Sequence, residues 1–360
     1  MFKVFSACAG CQLFKLKGNC MKSIILFLIL LNPAFISLII AQPAHSINNI
    51  EITAEVQRDL FPVVEKFLSQ WNNYSKIPDL VTWKIHNKSS KSVRISFITE
   101  IPGWTAPQIT TIVLNPDENK ELMHAPFGIN LLSNHVTVST KIMLRAKIDD
   151  KIIFDETKDI NIRAVDDMIW SMNNSWDTEL FLAAWVTPND PAVEGILTEV
   201  KEKLPGGKFL DYSSPDVKPE IKAIYNAIYN YKISYVIDTM NFEQAGFTHR
   251  VRLPEESISE KSANCIDLAV LFCSLFENIG LESSIVITPD NTLVGVRLAR
   301  NSNETLFFET SMAGPENIFT YEAAVKEGIK EYNNTAKNNM GALHIINIRR
   351  ARGMRIYPLR

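Results

Sequence analysis

The chain has 360 residues, with 37 Lys+Arg against 40 Asp+Glu and a formal net charge of -3. Hydrophobic residues at 46% and charged residues at 21% are ordinary globular composition, which excludes wholesale disorder. The absence of a basic excess excludes a whole-protein electrostatic footprint for nucleic acid.

Residues 24–41 carry no charge and follow Met21 and Lys22. A basic residue, an apolar run and the small Ala41 before Gln42 form the pattern of an export signal. The run is 18 residues long, the short end for a membrane span, and Pro33 interrupts it; attachment to the membrane through residues 24–41 is the alternative. Either way the rest of the chain is expected to be exported, periplasmic or anchored facing the periplasm. If translation starts at Met21, residues 1–20 are an upstream extension. Taking Lys3, Lys15, Lys17 and Lys22 from the 37 basic residues leaves 33 against 40 acidic, a mildly acidic net of -7.

Of five cysteines, Cys8, Cys11 and Cys20 precede Met21, and their C-x-x-C spacing without partners is a weak metal or redox signal. Cys265 and Cys273 are eight apart in a helical pattern, ~12 Å along the axis. A disulfide needs Cα atoms within about 7 Å, so they are not expected to pair. Unpaired thiols are unusual in an oxidising compartment, so at least one is expected to have a role; two buried core cysteines are the plain alternative.

In chain order, residues 51–71 place Val56, Leu60, Val63, Val64, Phe67 and Trp71 at helical spacing, which predicts a short helix bent at Pro62. Over residues 72–168 the period becomes two, as in Val81, Trp83 and Ile85 or Ile142, Leu144 and Ala146, with turn signals at Asn115-Pro116-Asp117 and Asp149-Asp150. That pattern predicts an all-β, Ig-like antiparallel sandwich without the paired cysteines of an antibody domain. His86, His124 and His135 are scattered there without ligand spacing. Residues 169–190 read as a connector, and residues 191–360 as α+β, with helices over about 191–203 and 218–231.

The chemistry concentrates at Cys265. Cys265, Leu268, Ala269, Phe272, Leu275, Phe276 and Ile279 fall at helical spacing, behind Ser262 or Asn264 as a cap and ahead of Gly280 as a stop. The thiol is thus predicted in the first turn, where unpaired N–H groups and the helix dipole favour a thiolate. Three strand-like runs follow, 284–287, 293–298 and 306–310.

A cysteine at a helix N-terminus against a small sheet resembles the transglutaminase-like branch of the papain-like cysteine proteinase fold. The resemblance lies in Ala263-Asn264-Cys265-Ile266-Asp267-Leu268-Ala269 as nucleophile helix, Ile279-Gly280-Leu281-Glu282 as exit turn, Thr288-Pro289-Asp290-Asn291-Thr292 as the strand that normally carries a histidine, and Phe308-Glu309-Thr310-Ser311 as the acid-bearing strand. Arg250-Val251-Arg252-Leu253-Pro254 and Ile348-Arg349-Arg350-Ala351-Arg352-Gly353 also look like bacterial members. It covers roughly Ala184 to Arg360. It implies acyl transfer through a thioester in active members, with Cys265, Asn291 and Glu309 at the triad positions. The departure is Asn291, which stands where the family reads histidine. An amide cannot accept and return a proton near neutral pH as imidazole does. His249, His344 and Asp290 are the candidate replacement bases.

Two function classes stay open. One is an envelope binding or structural module, a pseudoenzyme taking a protein or peptide partner. The other is an active thiol enzyme, a cysteine peptidase, amidase or transamidase with an unrecognised base. No cofactor, metal or nucleic acid is implied. The Arg349, Arg350, Arg352, Arg355 and Arg360 run reads as a solvated tail, and Tyr225 with Tyr229, at i, i+4, as core packing.

Overall fold

The period-two stretches build two antiparallel sheets around one apolar core. They are seen in a computed structural model that describes residues 45–47, 49–68, 79–171, 178–237, 248–289, 291–313 and 319–359. The first sheet has the order β1 (His45–Ile47), β2 (Ile50–Val56), β4 (Val81–Asn87), β7 (Asn119–His124). The second has the order β3 (Asp59–Leu60), β9 (Lys151–Ile162), β8 (Val138–Ile148), β5 (Val93–Glu100), β6 (Gln108–Leu114). All neighbours pair antiparallel except β3 and β9, which run parallel. Trp83 of β4 crosses between the sheets to meet Phe97 and Phe154, with ring centroids 5.1 and 5.4 Å away. His124 is fully buried there, its Nδ1 2.8 Å from Thr99 Oγ1 and its Nε2 3.0 Å from Thr110 Oγ1.

The helix predicted over 51–71 needs correction. Residues 50–56 form strand β2, and the helix, α1, is confined to Pro62–Leu68. Ile50, Ile52 and Ala54 alternate with half-exposed partners, so a period of two holds before Pro62 starts the helix at its first position. The α1 side chains enter the second core, not the β-sheet core, and Phe67 stacks on Phe181 at 5.4 Å.

The second half is α+β. After β10 (Asp167–Ile169) come α2 (Pro191–Lys203), α3 (Lys218–Tyr231), β11 (Ser234–Tyr235), β12 (Thr248–Arg250), α4 (Pro254–Ser259), β13 (Ser262–Ala263) and α5 (Cys265–Asn278). Then follow β14 (Ser283–Ile287), β15 (Thr292–Arg297), β16 (Thr305–Glu309), α6 (Tyr321–Asn338), β17 (His344–Asn347) and α7 (Ile348–Gly353). The main sheet has the order β16–β15–β14–β17 and is antiparallel throughout. One face carries α5: Phe308 meets Phe272 edge to face at 5.0 Å. The other carries α6: Phe307 stacks on Tyr332 at 3.9 Å. Gly328 lets α6 lie on the strand itself, since a Cβ there would stand 2.5 Å from the Phe308 Cα. Helix α5 is buried on nearly every side and ends at Gly280, whose φ of 83° suits the left-handed stop.

The C-terminal arginines are not uniformly a solvated tail. Arg352 donates from Nε and Nη2 to Glu277, from Nη1 to the carbonyls of Ala183 and Ile356, and from Nη2 to that of Val186, all at 2.7–2.9 Å. That engages all five guanidinium N–H groups. Arg349 pairs with Glu282. The export signal or anchor predicted over residues 1–41, together with Cys8, Cys11, Cys20, Trp71, residues 172–177, Asp290 and Arg360, lies outside the described residues. Among those described, no helix is long and apolar enough to cross a membrane.

Candidate functional site

Asn264 precedes α5 in extended conformation, and its Oδ1 accepts from the N–H groups of Ile266 and Asp267, each at 2.9 Å. Asp267 reciprocates, accepting from the Asn264 N–H at 3.1 Å. This closed capping box fixes where the first helical residue, Cys265, points. Asp267 is fully buried and also accepts from the Arg252 N–H and Nη1, at 2.8 and 3.1 Å. Burial pushes its carboxyl up, against the opposing pull of those donors.

The Cys265 thiol is half-buried and hydrogen-bonded to the side chains of Thr292 and Tyr235. Burial pushes it above the ordinary thiol range; the two hydroxyls and the Ile266 N–H oppose that rise, and the Asp267 carboxylate adds to it. Thr310 Oγ1 donates to the Cys265 carbonyl at 3.2 Å and lies 2.9 Å from that of Thr292, so one hydroxyl ties the helix start to β15. Cys273, two turns on, is a buried core thiol pushed up to about 12 by burial.

The sequence places Asn291 beside the thiol; the structure places Thr292 there. Asn291 Nδ2 donates to Glu331 of α6 at 3.1 Å, and Thr288 also bonds Glu331. The reason is the pleat. Thr292 is in phase with Val294, whose cross-strand partner Phe308 meets α5. Asn291 is in phase with Leu293, whose partner is Glu309, and that row faces α6. Glu309 accepts from the Ser311 N–H and Oγ at 3.1 and 2.5 Å, and is raised by burial, with Glu331 and Glu327 adding to the rise. The predicted trio of Cys265, Asn291 and Glu309 is therefore divided between the two faces of the sheet.

Of the replacement bases, His249 on β12 comes nearest in the hydrogen-bond network, its Nε2 3.1 Å from Asn264 Nδ2. Because Asn264 Oδ1 is committed to the helix, Nδ2 is the donor and the imidazole the acceptor. His344 instead pairs with Glu179 at 2.8 Å, from β17 at the sheet's edge. Sequence reasoning missed Thr292, Thr310 and Tyr235. The phase of β15 signals Thr292, and that of β16, through Phe308, signals Thr310. Tyr235 arrives through the parallel pairing of β11 with β13, which has no local signature. Chemically, two hydroxyls can donate to a thiolate but cannot take up its proton near neutral pH. Among the described residues, no group of three or more His, Cys, Asp or Glu could hold a metal ion.

No family model matches the chain, and no curated protein does. Among solved structures it is similar to a Cytophaga hutchinsonii chain described as a "putative cysteine protease", at 10% identity and a TM-score of 0.23, over 71% of this chain and 83% of that one. A likeness that weak has no bearing on the fold.

Proposed function

We propose that the chain is an exported envelope protein in which an Ig-like module precedes a transglutaminase-like domain without a working proton shuttle, acting as a peptide- or protein-binding unit. One observation carries the reading. The Cys265 thiol, at the start of a buried helix packed on an antiparallel sheet, is bonded by the hydroxyls of Thr292 and Tyr235 and raised by burial. A general base contributes ~10²–10⁴-fold in rate, and neither hydroxyl supplies one. The Ig-like assignment draws support from the two-sheet topology, in which the short strand β3 pairs parallel with the last strand of the second sheet.

The second reading is a thiol enzyme with His249 as its base, favoured by the imidazole bonded to the residue before Cys265. One experiment separates them. Purified full-length protein is incubated with peptide amides, peptide esters and an amine acceptor, beside Cys265→Ala. The binding reading expects no product that depends on Cys265. Turnover lost in both Cys265→Ala and His249→Gln would establish the enzyme reading instead.

A further inference from the structure

We infer that two copies of this chain associate edge to edge through strand β6, joining their second sheets into one continuous sheet across a two-fold axis. This is independent of the reading of the thiol site. Among the described residues, strand β6 ends its sheet and pairs only with β5. An unpaired edge offers a row of backbone donors and acceptors, and proteins guard such edges with charge, proline, short length or a covering element. The other edges are guarded. Among the described residues β1 has three residues, β3 two and β17 four; β7 carries Lys120 and Glu121; β16 lies under α6. Strand β6 reads Gln-Ile-Thr-Thr-Ile-Val-Leu, seven residues without a charge or a proline.

Its side chains select a second copy as the occupant. Ile109 and Val113 stand 61% and 55% exposed on the outer face, with Thr111 between them. In an antiparallel pairing centred on Thr111, all seven residues find partners, and Ile109 of each copy sits opposite Val113 of the other. A centre one residue away leaves one of the two apolar residues opposite Pro107 or Asn115. Behind them on β5, Ile98 pairs with Ile109 and Arg94 with Val113, so the join gathers Ile98, Ile109 and Val113 from both copies and sets no like charges opposite each other. Apolar cross-strand pairs of this kind stabilise a sheet by ~0.2–1 kcal/mol each, and like charges would oppose it.

The test uses the full chain. A single-strand join lies at the low end of interface areas, so sedimentation at about 1–500 µM should show a reversible monomer–dimer equilibrium. Replacing Ile109 and Val113 together by Lys should abolish the dimer while leaving the thermal transition in place. The register is checked with cysteines. Thr111→Cys places two thiols at a Cα separation of about 4.5–5.5 Å, within disulfide range, so mild oxidation should give a 111–111 cross-linked peptide by mass spectrometry. Val113→Cys places them ~13 Å apart and should not cross-link. A wild-type chain monomeric throughout, a dimer that survives the lysine pair, or equal cross-linking at 111 and 113 would overturn the inference. A strand of another protein as the occupant would leave the chain monomeric, and so counts against it.

Discussion

If Thr292 faces the thiol and Asn291 faces α6, the two neighbours should differ sharply when removed. Thr292→Val keeps the shape and deletes a hydroxyl that donates to the Cys265 sulfur. A hydrogen bond to a charged group contributes ~1.5–3 kcal/mol. At ~1.4 kcal/mol per tenfold, losing it should lower the thiolate fraction, and with it the alkylation rate, by about 10- to 100-fold below the thiol's titration. Thr310 anchors to the backbone carbonyl of residue 292, so the valine keeps its place in β15. The assay is the rate of iodoacetamide addition at Cys265 against pH, read on the modified peptide so that other cysteines do not contribute. Asn291→Ala loses a bond to Glu331 on the far face and should leave that curve within about twofold. An equal slowing by both variants, or by Asn291→Ala alone, would refute the assignment of faces.

Three further outcomes follow from the same geometry. Gly328→Ala drives a methyl against the Phe308 backbone and should cost ~1–3 kcal/mol in urea unfolding as α6 shifts off the sheet. Asn264→Ala removes the α5 cap and should cost ~1–2 kcal/mol, with faster Cys265 alkylation as the first turn frays; unchanged stability would count against the closed capping box. His124 is lowered by burial from 6.5 to about 4. Its neutral form is the one folded, so its contribution is complete above about 6.5 and is lost as pH falls toward 4, where the unfolded chain binds the extra proton. That amounts to ~3 kcal/mol, and His124→Gln should flatten stability against pH over that window.

The sequence made much of this legible, because local periodicity and punctuation agree with the fold along most of the chain. Helices α2 and α3 run over the expected stretches 191–203 and 218–231, and α5 runs behind its Asn264 cap where apolar spacing places it. Residues 50–56 misled because Val56 and Leu60 continue the spacing of α1 by coincidence, while the alternation that decides the strand begins at Ile50. At the thiol, matching residues along the chain identified the strand but not its phase, and a one-residue difference in phase moves a side chain to the opposite face. Arg352 was misread for another reason. Nothing in a basic run shows that its partners are backbone carbonyls some 166 and 169 residues earlier.

That guanidinium has a consequence for biosynthesis. The junction it binds, residues 183–186, leaves the ribosome long before Arg352 does, and Leu359 adds a backbone bond to Ala184 at 2.9 Å. Until residues 352–359 have been made, the nascent polypeptide holds those carbonyls and the Glu277 carboxylate without their partners. The second half therefore completes its packing only once residues 352–359 have emerged, and a truncation just before Arg352 should yield a chain prone to degradation although every helix and strand of the main sheet up to β17 has been synthesised.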